Sequence, residues 1–394
     1  MLLTGIGSTA VAAGLAGCGS SAKPATTSSP TVQATSPRPG GSPTPPASPS
    51  PANDAALRRK IASLLVVGFR GVTVSSHSWI VQAIAKQGLG GVILFDRDQI
   101  TKGQRNISSP KQVTALIRTL RAASPGRLIV SIDQEGGQVA RLNPGDGFPA
   151  TRSEASIGAA NSPATTRAWA QGIVHSLTSI GVTLNFAPVV DLNVNPKNPA
   201  IGALGRSFSS NANVVVTNAS EEIRVHRAAG VGTVLKHFPG FGSATGNTDF
   251  GVVDVSKTWH PAELVPFQRL ISAGLADAVL VAHLLNRQLD PSRPASLSHA
   301  VVTGLLRDKL GFKGATVSDD MQAVAITSKY GRAEATTLAV QAGVDMLVYA
   351  NQEVYDPKIV EETVDTIFGL VRAGKVTEAQ IDQSVARVNT LRPH

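Results

Sequence analysis

Eight short apolar runs recur along the chain, at residues 64–69, 91–95, 128–133, 182–187, 233–237, 278–283, 315–319 and 346–349, with helix-like segments between most of them. Runs that are apolar throughout, rather than alternating, suit strands buried on both faces. Strands separated by helices pair in parallel. Residues 110–123 and 166–180 carry helical periodicity, and Leu264, Phe267, Leu270 and Ile271 share one helical face behind Pro261, a residue suited to a first turn. Eight such units in this length predict an α/β fold, a (β/α)8 barrel of the TIM type rather than an open doubly wound sheet. No Gly-x-Gly-x-x-Gly follows the first run and no Walker sequence occurs, which weakens the nucleotide-binding alternatives.

A barrel of this kind carries its site at the carboxyl ends of its strands. Polar residues gather there: Asp96, Asp133, Asp191, Lys236, His237, His283 and Asp319. Two endings are the most informative. Lys236-His237-Phe238-Pro239-Gly240-Phe241-Gly242, closed by Asn247-Thr248-Asp249, is a glycine-rich loop after a rigid strand, and Ala315-Thr316-Val317-Ser318-Asp319-Asp320 ends a strand in carboxylates. Two such endings suggest carbohydrate chemistry. Lys236 and His237 are adjacent and would face opposite ways in a regular strand, so a bulge or the start of the turn is needed if both reach one ligand. Several residues have plainer alternatives. Asp191 can accept from amides of the Asn/Pro loop after it, His283 can be a satisfied strand-end histidine, Glu135 can brace the Gly136-Gly137 turn, and Asp96-Arg97-Asp98 reads as a local ion-pair loop. No cluster has a metal-ligand spacing, so neither metal nor cofactor is expected.

The N-terminal part has another character. Residues 1–17 are small and apolar and lead through Leu15-Ala16-Gly17 to Cys18, the single cysteine of the chain. That stretch is too short to span a membrane and suits the apolar region of a signal peptide. It resembles a bacterial lipoprotein signal with Cys18 as the lipidated residue, although no Lys or Arg precedes it. Residues 19–53 are mostly Ser, Pro, Thr, Ala and Gly and hold one Val and no aromatic residue, so they read as a disordered tether. Extended like polyproline, it would reach on the order of 100 Å. The expected organisation is therefore a signal at 1–18, a linker at 19–53 and a barrel at 54–394, lipid-anchored outside the cytoplasm and facing the wall. The net charge is +9, of which +7 remains once Lys23 and Arg38 of the N-terminal part are set aside. A basic domain favours anionic wall polymers or headgroups. Without aromatic-basic interleaving, no nucleic-acid partner is expected. A monomer is expected.

Asp133-Gln134-Glu135-Gly136-Gly137, Asn185-Phe186-Ala187-Pro188 with Asp191, Gly205-Arg206-Ser207-Phe208, Lys236-His237-Phe238-Pro239-Gly240, Pro294-Ala295-Ser296-Leu297-Ser298 and Ser318-Asp319-Asp320-Met321 occur in this order between Leu57 and Arg387. Together they resemble glycoside hydrolase family 3, in particular single-domain bacterial β-N-acetylglucosaminidases of cell-wall recycling. The resemblance implies a retaining, exo-acting β-glycosidase working on N-acetylglucosamine-containing wall fragments. Asp319 would be the nucleophile, with Asp320 the competing candidate. Asp133, Arg206, Lys236 and His237 would grip sugar hydroxyls, and His283 would line the same mouth. The family branch usually reads Lys-His-Phe-Pro-Gly-His-Gly and then Asp-Ser-His, whose His is the acid/base. Here Phe241 stands in place of the second histidine of the first motif, and Asn247-Thr248-Asp249 replaces Asp-Ser-His. Three readings stay open: Asp249 is the acid/base, the site binds sugar with little turnover, or another residue such as His260 supplies the proton. His260 precedes Pro261 and suits a helix cap better. A glycine-rich loop at 240–251 is free to bring Asp249 in when substrate binds. A non-catalytic wall-binding lipoprotein and a β-glucosidase or phosphorylase of the same family are the rivals.

Overall fold

The computed structural model describes residues 51–124 and 127–393. The expected signal with Cys18, and the linker up to residue 50, lie outside them. Residues 51–53, assigned to the linker from composition, form the first turn of the helix Pro51–Ala62.

All eight apolar runs are strands, and they close into one parallel barrel. In chain order these are β1 Leu65–Gly68, β2 Gly91–Leu94, β3 Ile129–Ile132, β4 Leu184–Asn185, β5 Gly232–Phe238, β6 Ala278–Val281, β7 Ala315–Asp320 and β8 Met346–Tyr349. β8 closes on β1 with Leu65 opposite Leu347. The strands are buried nearly throughout, as continuous apolar runs require, because the barrel lumen covers one face and the helical ring the other. β4 is shorter than its apolar run. Pro188 has no N–H to give, and the chain rejoins the barrel through an isolated bridge from Val189 to Lys236.

The helices start where their sequences say. Ser109 caps Pro110–Ala122 and Ser162 caps Pro163–Ile180, each accepting from a first-turn amide with proline at the start. His260 caps the short helix Pro261–Leu264 in a capping box with Glu263, and Phe267 and Leu270 of the following helix Val265–Ser272 are buried. That use of His260 leaves it outside the site. Large side chains such as Phe69, Phe186 and Phe267 have less than 2 % of their surface exposed, so truncating any of them to Ala costs about 3–5 kcal/mol.

Candidate active site

The carboxyl ends of the strands surround a cavity of about 220 Å³ lined by Asp133, Arg206, Lys236, His237, Asp249, Asp319 and Glu353, among others. Six of the seven site residues expected from the sequence of the barrel meet there. One side of the cavity is a network of paired charges. Lys236 Nζ lies 2.8 Å from Asp133 Oδ1 and 2.5 Å from Glu135 Oε1. Arg206 holds Glu135 in a two-pronged grip, Nε and Nη2 each 2.7 Å from a carboxylate oxygen, the strongest form of such a pair. Burial alone would raise Glu135, but Arg206 and Lys236 outweigh it and hold it at about 2. Burial would likewise raise Asp133, and Lys236 and Arg141 bring it below the usual carboxylate range. Lys236 is pushed up, burial being overcome by Asp133 and Glu135. Glu135 thus does more than brace its turn: it fixes both cations.

His237 joins this network through Asp191. Its Nδ1 lies 2.7 Å from Asp191 Oδ2, so that nitrogen donates and Nε2, 3.3 Å from Arg206 Nη2, accepts. The Asp191 carboxylate also takes the backbone N–H groups of His237 and Phe241. Its acceptors therefore serve the motif on β5 rather than the Asn/Pro loop that follows it. The peptide between Lys236 and His237 is cis. The register of β5 against β6 shifts between Leu235 and Phe238. Both side chains line the cavity. Two further acids lie fully buried behind this network. Glu154 Oε1 accepts from Val189 N at 3.0 Å, while both Glu222 oxygens lack a partner. Burial, followed by Glu222 and Glu135, raises Glu154 well above its ordinary value; burial and then Glu135 do the same to Glu222.

Among the described residues, no cation pairs with the other side of the cavity. Among the described residues, the Asp319 carboxylate at the end of β7 accepts only the neighbouring Asp320 N–H, at 3.0 Å. Asp320 is committed elsewhere, with Oδ1 taking the N–H groups of Gln322 and Ala350 at 3.1 and 2.9 Å. Burial and the adjoining Glu353 push it well above its ordinary value. Of the two neighbouring aspartates, Asp319 is the one with free carboxylate capacity. Asp249 is raised by burial and then by Asp319. Its segment is pinned in place, since Val324 N donates to Asp249 O and Ala325 N to Thr248 O.

The glycine-rich loop is therefore only partly free. Gly240 has φ +118°, and a Cβ on Gly242 would sit 1.6 Å from Leu192 O. Both glycines serve close packing, while Gly251 has open space around it.

His283, expected at the mouth, does not line the cavity. Its Nδ1 lies 2.6 Å from Ser296 Oγ and its Nε2 2.8 Å from Asp320 O, so both nitrogens are spent inside the protein. Burial lowers it. Asp98 is an ion-pair residue, but its partners are Arg70 and Arg105 from elsewhere rather than the adjacent Arg97 of the expected local loop. Glu353 was missed: it lies four residues beyond β8, and the only signal was the polar ending Asn351-Gln352-Glu353 after an apolar run.

The sequence profile of the Glycosyl hydrolase family 3 N terminal domain matches residues 56–391. The chain belongs to glycoside hydrolase family 3. A beta-hexosaminidase of Xanthomonas oryzae pv. oryzae is 34% identical over 320 residues, covering 78% of this chain and 87% of that one. Beta-hexosaminidase A of Pseudoalteromonas piscicida is 31% identical over 335 residues, covering 79% of this chain but 54% of the relative, so this family 3 chain spans about half of that protein. Among solved structures, a β-N-acetylglucosaminidase from a Paenibacillus species superposes with TM-score 0.76 at 33% identity, covering 85% of this chain and 62% of that one. A β-N-acetylhexosaminidase from Beutenbergia cavernae gives 0.75 at 32%, covering 84% and 97%.

Proposed function

We propose that this family 3 protein is a retaining, exo-acting β-N-acetylglucosaminidase in which Asp319 is the nucleophile and Asp249 the acid/base. The observation that carries the reading is the pairing of an uncommitted carboxylate, Asp319, with a buried acid held above its ordinary value, Asp249, in one cavity. In the first step an Asp319 oxygen bonds to the anomeric carbon as the glycosidic C–O bond breaks, and Asp249 gives its proton to the leaving oxygen. In the second step Asp249 takes a proton from water, the water oxygen bonds to the anomeric carbon, and the Asp319 ester bond breaks. Asp133, Lys236, Arg206 and His237 offer acceptors and donors suited to a terminal sugar's hydroxyls. Their mutual pairing fixes them before the sugar arrives. The hexosaminidase relatives support N-acetylglucosamine as that sugar.

Peptidoglycan fragments as natural substrate, and lipid anchoring at Cys18 outside the cytoplasm, complete the proposal. They rest on the N-terminal sequence and on the reach of the linker. The decisive experiment offers an aryl β-N-acetylglucosaminide and the matching glucoside, each with and without phosphate, and follows product stereochemistry. Hydrolysis of the glucosaminide with retention is expected. Preference for the glucoside, phosphate dependence or no turnover each overturns the reading. Membrane fractionation of Cys18→Ala against the parent chain tests the anchor, and an unchanged distribution refutes it.

A further inference from the structure

Among the described residues, the large hydrophobic side chains left exposed are Ile100, Val194, Phe250, Val252 and Val354. Isolated exposed apolar residues need no explanation, but they normally scatter. Here each one lies on a loop that follows a strand, at the end of the barrel that carries the cavity, and none lies on a helix or at the opposite end. Three of them immediately follow residues that line the cavity: Ile100 follows Gln99, Phe250 follows Asp249, and Val354 follows Glu353. Ile100 and Val354 belong to loops tied together, since Gln99 N donates to Gln352 Oε1 at 2.8 Å and Gln352 Nε2 to Arg97 O at 3.0 Å. Val194 borders the β5 loop, with Asn195 N donating to Gly242 O at 3.1 Å.

Phe250 is 71% exposed, the most of the five. Its place follows from its neighbour. An acid that protonates the glycosidic oxygen stands beside that oxygen, with the terminal sugar on one side and the aglycone on the other. Asp249 lines the cavity, and Phe250, the next residue on the same pinned segment, is left in solvent beside it. A pyranose ring presents C–H groups on its faces, and an aromatic ring is a natural surface for them.

We propose that Phe250, on the same cavity rim as Ile100 and Val354, forms an aglycone subsite that stacks the ring of the next sugar in a β-linked chain. This rests on the exo-glycosidase reading above and extends it to the substrate class: an oligosaccharide with a ring in the aglycone position is preferred over a simple alkyl glycoside.

The test uses the full chain and two probes with alcohol leaving groups: methyl β-N-acetylglucosaminide and the disaccharide of two β-1,4-linked N-acetylglucosamine units. The expected result is that Phe250→Ala lowers the ratio of kcat/KM for disaccharide over methyl glycoside by about five- to tenfold, and that Phe250→Tyr restores it. An unchanged ratio, with both substrates falling together or neither falling, overturns the subsite. Calorimetric binding of the same two ligands to the parent chain and to Phe250→Ala keeps the test separate from catalysis. If the parent chain turns over neither, the enzymatic reading fails, yet a selective loss of disaccharide affinity still supports the platform, and equal affinities refute it. Association with phosphatidylcholine vesicles that depends on Phe250, without any disaccharide effect, would overturn it in favour of a lipid-facing rim.

Discussion

The two sides of the cavity are built on opposite principles. On one, the two acids Asp133 and Glu135 and the two cations Arg206 and Lys236 neutralise one another at contact distance, and Asp191 holds the His237 ring in place, so those four charges are matched before substrate binds. On the other, Asp249, Asp319, Asp320 and Glu353 make no ion pair among the described residues, and three of them are pushed upward instead. Paired charges give a fixed template and little chemistry, because each is held in one protonation state. Unpaired buried acids keep protons near the range where proton transfer is useful. The difference divides the labour: one side holds, the other reacts.

The largest expected effect tests that division directly. Asp319→Asn should lower kcat on an aryl β-N-acetylglucosaminide on the order of 10⁴-fold while leaving sugar binding by calorimetry intact. A variant that still turns over would place the chemistry elsewhere. Asp249→Ala comes next. Substrates with poor leaving groups should lose about 10²–10⁴-fold, and an activated aryl glycoside far less in the bond-breaking step. The pH profile carries a sign. An acid must hold its proton, and burial together with Asp319 raises Asp249, so activity on poor leaving groups falls as pH rises through a value above the ordinary carboxylate range. That alkaline limb should vanish in Asp249→Ala. If it persists, another group is the acid, and Glu353, raised by burial and facing Asp249 and Asp319, is the first to examine.

On the holding side the expected loss is structural. Arg206→Met leaves the buried Glu135 without its two-pronged partner, and breaking one side of such a pair costs about 3–5 kcal/mol, readable in denaturant unfolding. Asp319→Asn should show no comparable loss, because among the described residues Asp319 is partnered only by a neighbouring amide. Equal destabilisation of the two would erase the contrast.

The fold was almost wholly legible, because continuous apolar runs and helix starts are local signals, and all eight strands stand where the runs put them. Of the site, the residues on motif-bearing strand ends were legible and their partnerships were not. Nothing near Glu135 in sequence reveals that it holds Arg206, 71 positions away. His283 looked like a site residue because it ends a strand. Its ring is used up by Ser296 and by the Asp320 carbonyl, contacts that depend on how β6 and β7 lie side by side. Glu353 escaped because a lone Glu after a strand has no pattern; only closure of β8 against β1 brings its loop back to the cavity.

The smallest effect probes the layer behind the holding side, where the matching of charge stops. Glu222 is fully buried with both oxygens unpartnered, and burial reinforced by Glu135 raises it well above 4.5. Its folded value exceeds its unfolded value. The stability linked to it is therefore fully present below about 4.5 and is lost as pH rises toward the folded value. Glu222→Gln keeps the shape and removes that loss, so its Tm should exceed that of the parent chain at pH 8 by on the order of a few degrees, with the gain shrinking toward pH 5. His226, on the same helix and lowered by burial to about 4, has the opposite dependence: it costs stability as pH falls from about 6.5. Scanning Glu222→Gln and the parent chain over the same pH range separates the two, because the His226 contribution is common to both and cancels. A Glu222→Gln gain that ignores pH would mean that Glu222 is already ionised in the folded chain, held by cations of the paired side, and the boundary between matched and unmatched charge would then lie deeper than Glu135.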